Sequence, residues 1–254
     1  MVRKVCLFIL SAAVLLMSFL PEAQATHGMW GYTGENGPEH WGKLSHDFAM
    51  CEKGKSQSPV DINKTYKAEL QDIVFSYKAT PLKVVNNGHT VQVNYLPGSS
   101  AIIDGEKYEL LQFHFHAPSE NTVEGKHYSM EMHLVHKNSK NELAVVGVFL
   151  KEGRANEVIQ KIWDNISPVI NEENTVDSIS INAADLLPPE AEKGYYHFYG
   201  SLTTPPCSEG VNWSVLKTPI EVSGAQIRKF EAVIGGHNNR PTQPINKRFI
   251  LESK

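Results

Sequence analysis

Alternation of apolar and polar positions dominates the middle of the chain. Phe113 and Phe115 alternate with Gln112, His114 and His116, so Lys107 to His116 predicts a strand with the phenylalanines on one face and the three polar side chains on the other. Met130 to Lys137 alternates in the same way and gives Glu131 and His133 a shared face. Leu143 to Leu150 is apolar enough for a strand covered on both sides. Shorter strand-like runs at Ile73 to Tyr77, Leu82 to Val85, Thr90 to Tyr95 and Ala101 to Asp104 are punctuated by the turns Asn87-Gly88, Pro97-Gly98 and Asp104-Gly105. Tyr195 to Tyr199, Val211 to Leu216 and Arg248 to Leu251 predict further strands. The period turns helical at Ala155 to Ile166, which Pro168 stops, and again at Ala225 to Ile234. Trp30 to Trp41 shows neither period and predicts an irregular segment packed on the rest. Ser56 to Ile62 begins an extended region, because Pro59 pushes Ser58 out of the helical basin.

Length and composition agree with one β-dominated α+β domain. The chain has 254 residues, 41% of them apolar and 20% charged, enough for one sizeable core. Residues 1–25 stand apart: Arg3-Lys4, an uncharged run from Val5 to Leu20, then Ala23-Gln24-Ala25. They predict a secretory signal peptide cleaved before Thr26, leaving a domain over 26–254, since the run is short for a membrane anchor. Removing it takes away two basic residues and one acidic residue and moves the net charge from −4 to −5. There is no basic patch, which excludes nucleic acid as the expected partner, and no apolar C-terminal tail to hold the processed chain on a membrane. The expected location is therefore periplasmic or secreted. Cys6 falls in the signal peptide, so an oxidising compartment favours a disulfide between Cys51 and Cys207 over two buried thiols. Asn63-Lys64-Thr65, Asn165-Ile166-Ser167 and Asn212-Trp213-Ser214 match a glycosylation pattern that chance also produces.

If the two alternating strands pair, His114, His116 and His133 converge. Three neutral imidazoles leave a tetrahedral cation one open position, the ligand count of a catalytic zinc rather than a structural one. Gln112 and Glu131, each two positions from a histidine on the same face, are placed to accept an imidazole N–H and fix its tautomer. A lone His-x-His would more simply be a solvated pair; the matched second strand changes that reading.

The chain resembles the α-class carbonic anhydrases, in particular exported, bacterial-type members. The resemblance lies in Gln112 to His116, Ser119-Glu120-Asn121-Thr122-Val123, Tyr128 and Glu131 to Val135. Gly37 to Trp41, Gln57-Ser58-Pro59, Asn86 to His89, Gly200 to Cys207 and Asn239 to Gln243 extend it along the chain. It implies a large twisted, mainly antiparallel central sheet with short peripheral helices. It also implies reversible hydration of carbon dioxide to bicarbonate and a proton by zinc-bound hydroxide, with Zn2+ on His114, His116 and His133. Gln112, Glu131 and the backbone of Asn238 match the groups that hold those imidazoles. Thr203 matches the residue that bonds the hydroxide, Glu120 the carboxylate that takes the threonine proton, and His89 the proton shuttle. Val135, Val145, Leu202, Val211 and Trp213 match the carbon dioxide pocket, with Thr204 at its polar edge; Tyr32, Asn87 and Gln92 match the shuttle's water network. Cys51 and Cys207 match the disulfide of exported members. Asn121 departs from the histidine common after the glutamate, Ala117 from a tryptophan and Gln92 from an asparagine. A homodimer stays open. Two other readings remain: a non-catalytic zinc-binding or adhesion module of this fold, which would usually lack a ligand histidine, and an exported zinc esterase, which would usually carry a carboxylate or second metal.

Overall fold

The computed structural model describes residues 30–189, 191 and 194–254. The predicted signal peptide and its cleavage point lie outside the described residues. Among the described residues, twelve strands join one large, mainly antiparallel sheet, and two short strands, Asp61–Ile62 and Thr122–Val123, pair separately. From one edge the large sheet runs Asn174–Ile181, Thr80–Asn86, Val91–Asn94, Glu106–His116, Met130–Lys137, Leu143–Glu152, Glu209–Val222, Tyr195–Ser201, Ile250–Ser253 and Thr65–Ala68. Ser100–Ile103 also pairs with Glu106–His116 and carries Val74–Ser76 on its far side.

The interior strands follow the alternation of the sequence. His114 stands opposite His133 in the antiparallel ladder, so the two alternating segments present their polar positions on one face. The other face buries Phe113, Phe115, Met132, Leu134 and Val146 against Trp163 and Phe230 in the main core. Phe113 and Phe115 are fully buried, each contributing roughly 1.5–3 kcal/mol of apolar transfer. On the face of the histidines, Val135, Val145, Val211, Trp213 and Phe198 form a second core. Leu143–Glu152 is covered on both sides and lies parallel to Glu209–Val222. A parallel neighbour cannot be reached by a hairpin, so the intervening chain makes a long excursion through helix Glu157–Trp163, the edge strand Asn174–Ile181 and the strand Tyr195–Ser201.

Boundaries shift where side chains take over. The predicted helix from Ala155 begins at Glu157, because Asn156 accepts from the N–H groups of Val158 and Ile159 and caps it, and it ends at Trp163 rather than Ile166. Helix Gly224–Ile234 starts in a capping box between Ser223 and Gln226 and stops at Gly235, whose φ of 77° is left-handed. The last strand is Ile250–Ser253 and not Arg248 to Leu251: Arg248 closes a turn onto Ile245 and its guanidinium donates to the carbonyls of Tyr199 and Gln57. The edge strands Asn174–Ile181 and Thr65–Ala68 carry no clear alternation and were not predicted. Within Trp30 to Trp41, the buried Trp41 indole donates to the carbonyls of Gly31 and Asn36, which folds that segment around it.

Candidate metal centre

The paired strands bring the nitrogens of His114, His116 and His133 within 4.8 Å of one another, the one such group of three among the described residues. His114 Nδ1 lies 2.8 Å from Gln112 Oε1, and His116 Nδ1 lies 2.8 Å from the carbonyl oxygen of Asn238. Each ring thereby turns Nε2 toward the shared space. His133 is reversed: its Nε2 stands 3.2 Å from Glu131 Oε1 without a well-aligned hydrogen bond, which leaves Nδ1 facing the other two rings. Burial holds His114, His116 and His133 below the usual imidazole range, His116 down at about 4, and neighbouring imidazoles press further on His114 and His133. Neutral nitrogens free to donate lone pairs are the form a cation requires. His116 Nε2 is buried and has no hydrogen-bond partner, so the residues present fit a metal ion.

Two carboxylates lie beneath the imidazoles. Glu131 accepts from the N–H groups of Glu120 and Asn121 and from the Asn121 amide, at 2.9, 2.8 and 2.8 Å. Asn121, the departure from the histidine common at this position, thus holds Glu131 with an uncharged donor, while its own oxygen accepts from Val60 N at 3.0 Å. Gly147, opposite His133 in the ladder, leaves room for this carboxylate: a Cβ there would stand 3.0 Å from Glu131 Oε1. Glu120 is fully buried, 3.5 Å from His116 Nε2 and 3.9 Å from His133 Nδ1. Burial raises its pKa to about 8, against the pull of the Arg240 N–H and the Thr203 hydroxyl, and burial likewise raises Glu131 to about 7. Glu120 Oε2 has no aligned hydrogen-bond partner.

Val135, Val145, Val211 and Trp213 are buried together on this face, with Leu202 packed against them, and the Trp213 ring meets His133 edge-on at 4.9 Å. Thr203 is buried and Thr204 half-buried. Their loop is tied down by Cys207 N donating to the Thr204 carbonyl at 2.8 Å and by Leu202 N donating to Ser208 at 3.0 Å. Cys207 is joined to Cys51 in a disulfide.

His89 is half-buried at the edge of the site, its ring stacked on Trp30 at 3.7 Å and 8° between planes. Burial lowers its pKa. Asn87 makes the turn that carries it, its side-chain oxygen accepting from the N–H groups of His89 and Thr90. Gln92 stands opposite His114 in the ladder and donates to Asn94 at 2.7 Å. Tyr32 packs edge-on against Trp30 and Trp41, and burial and the nearby Glu120 hold its hydroxyl well above the usual range. Three further histidines serve elsewhere. His136 meets the Tyr77 hydroxyl, His127 the Ser119 carbonyl, and His197 lies buried beside Asp104.

Three participants were not assigned from sequence. Arg240 is fully buried; its N–H donates to Glu120, and its guanidinium donates to Gln57, Ser58 and Cys51. The Asn238 side chain donates to the carbonyls of His89 and Phe115 and accepts from Ala117 N. Trp30 supports the His89 ring. The Asn239-Arg240-Pro241 run was a visible signal for Arg240, but its partners are remote in sequence.

Comparison with known proteins places this arrangement among relatives. The model of the family described as eukaryotic-type carbonic anhydrase matches residues 36–254. A carbonic anhydrase of Nostoc sp. is 45% identical over 99% of this chain and 97% of its own. A solved hyperthermostable carbonic anhydrase from an active hydrothermal vent chimney is 50% identical, covers 89% of this chain and 100% of its own, and superposes with a TM-score of 0.86. The α-carbonic anhydrase of Thermovibrio ammonificans, solved with the inhibitor sulfanilamide, is 45% identical, with 88% and 99% coverage and a TM-score of 0.85.

Proposed function

The chain belongs to the eukaryotic-type carbonic anhydrase family, and we propose that it reversibly hydrates carbon dioxide to bicarbonate and a proton, with zinc held by His114, His116 and His133. The observation that carries the reading is the convergence of three neutral imidazoles, with the buried His116 Nε2 lacking any hydrogen-bond partner, beside an apolar wall. Three nitrogen donors, with no fourth protein ligand among the described residues, suit a zinc ion with a position open to solvent. Bound there, the ion would supply the Lewis acidity that makes a nucleophile of water at neutral pH, an effect for which carbonic anhydrase is itself the general example.

The remaining work belongs to the chain. Gln112, Glu131 and the Asn238 carbonyl hold the imidazoles in orientation. Glu120, fixed by the Arg240 N–H, accepts a hydrogen bond from the Thr203 hydroxyl in its carboxylate form, which a cation on the neighbouring imidazoles would favour against burial, so that the threonine oxygen is left as an acceptor and orients the attacking oxygen. Val135, Val145, Leu202, Val211 and Trp213 exclude water and hold the uncharged substrate, with Thr204 at the polar edge. His89 carries the proton outward, since an imidazole can accept a proton at one ring nitrogen and release one from the other. Tyr32 lines the cleft that His89 borders, Asn87 sets the turn that carries His89, and Gln92, opposite His114 in the ladder, belongs to the same water network. Residues 1–25 act as an export signal for the domain over 26–254. The Cys51–Cys207 disulfide supports that reading, as an oxidising compartment preserves such bonds.

The test is stopped-flow carbon dioxide hydration on the processed chain with zinc counted on the same sample. One zinc per chain and fast hydration are expected, with both lost in His133→Ala. Hydration surviving at wild-type rate in that variant would overturn the assignment.

A further inference from the structure

The cleft outside His89 holds a second imidazole. It measures about 580 Å³ and is lined by Trp30, Tyr32, His89, His237 and Asn239 along with the glycine-rich end of helix Gly224–Ile234. We propose that His237 is a second proton-relay group, receiving protons from His89 and delivering them to buffer at the mouth of this cleft. The inference rests on the shuttle role proposed for His89.

Three observations carry it. His89 is half-buried and its ring lies flat on Trp30, so it borders the cleft from inside. His237 is 68% exposed at its side chain, where buffer can reach it. Between them stands Asn238, whose amide donates to the His89 carbonyl at 3.0 Å and to the Phe115 carbonyl at 2.9 Å, so the backbone that bears His237 is fastened to the shuttle's own turn and to the histidine-bearing strand.

His237 is set at the end of the helix beside a carboxylate. Its Nε2 is 3.6 Å from Glu231 Oε1, and the helix ends beside it, with the N–H groups of Gly235 and Gly236 both closing onto the Glu231 carbonyl. Burial makes His89 release a proton more readily than an exposed imidazole would. The transfer is balanced: the His89 imidazolium gives its N–H proton through solvent in the cleft to neutral His237 and returns to the neutral form. The His237 imidazolium then protonates a buffer base.

The test uses the zinc-loaded processed chain, with His237→Gln, His89→Ala and the double variant. Oxygen-18 exchange separates proton release from carbon dioxide–bicarbonate interconversion, and nitrogen-15 NMR of labelled histidine follows solvent exchange at the His89 ring. In weak buffer, His237→Gln is expected to lower the ratio of proton release to interconversion about threefold, to be rescued by added imidazole, and to slow exchange at the His89 ring. The double variant should match His89→Ala alone. A weak-buffer ratio and a His89 exchange rate equal to wild type in His237→Gln, or effects that simply add in the double variant, would overturn the relay. A wild-type ratio in His89→Ala overturns the shuttle reading itself, and the relay with it.

Discussion

The Arg240 N–H donates to Glu120 Oε1 at 2.8 Å, and this bond ties the carboxylate beside the imidazoles to the corner of the molecule that carries the disulfide. The guanidinium of the same residue donates to Gln57 Oε1 and to the carbonyls of Ser58 and Cys51, while the Gln57 amide donates to the Cys207 carbonyl. Glu120 therefore has one oxygen committed to the scaffold and the other directed at the site. Arg240 pays for its burial with a pKa lowered to about 10, which Glu120 opposes.

That division predicts the behaviour of Glu120→Gln. The amide can donate to the Thr203 hydroxyl, which reverses the orientation the carboxylate imposes. The expected loss is roughly 10²-fold in kcat/KM, with bound zinc unchanged because Glu120 is not among the three converging nitrogens. Hydration kinetics and a metal count on one preparation check it; kcat/KM near wild type removes Glu120 from the orienting role.

Gly147 gives a second prediction. A methyl group there would stand 3.0 Å from Glu131 Oε1 and 3.4 Å from Val215, so Gly147→Ala must displace the carboxylate by a few tenths of an ångström. Glu131 keeps its donors from Asn121 and the Glu120 backbone, but its approach to His133 is disturbed. The expected outcome is zinc affinity weakened about 10-fold, with a small change in melting temperature. Competition against a chelator measures it, and unchanged affinity would mean that Glu131 does not tune His133.

The alternating strands were legible because a period of two in each segment leaves one way to bury the phenylalanines, and that arrangement sets His114 across from His133. The apolar run at Leu143 likewise announced a strand covered on both faces. Asn174–Ile181 was not legible, since an edge strand is stabilised by its neighbour's backbone and its polar side chains reach solvent. Arg240 was hidden for a different reason: an arginine fully buried by carbonyl acceptors distant in sequence looks like any surface arginine until the chain has folded. The roles of Thr203, Glu120 and His89 came from resemblance, because none of them follows from period or spacing.

Reduction of Cys51–Cys207 should destabilise strongly. The cysteines are 156 residues apart, and closing so long a loop is worth about 5 kcal/mol in the chain-entropy model. For a chain of this size that corresponds to roughly 10–20 °C in Tm. Calorimetry with and without reductant checks the value. A loss of hydration below the new Tm is expected as well, because the Cys207 N–H holds the Thr204 carbonyl in the loop that carries Thr203.

His136 sets a pH dependence separate from the metal site. It is fully buried, its Nε2 is 2.7 Å from the Tyr77 hydroxyl, and burial lowers its pKa to about 4, while the backbone of Ala144 and Leu134 acts in the opposite sense. The folded state therefore holds His136 neutral where the unfolded chain, with its ordinary value of about 6.5, takes up a proton. Stability rises with pH wherever the unfolded state binds more protons. This contribution is thus complete above about pH 6.5 and is lost as the pH falls toward 4, with no further loss below. The whole interval corresponds to roughly 3 kcal/mol. The three converging histidines share the direction, so zinc-loaded wild type must be compared with zinc-loaded His136→Gln by urea unfolding at several pH values between 4 and 7. The variant should be less stable at pH 7, where it lacks the imidazole packed against Tyr77, and its stability should fall less steeply with acid. Parallel curves for the two proteins would show that His136 does not titrate on unfolding.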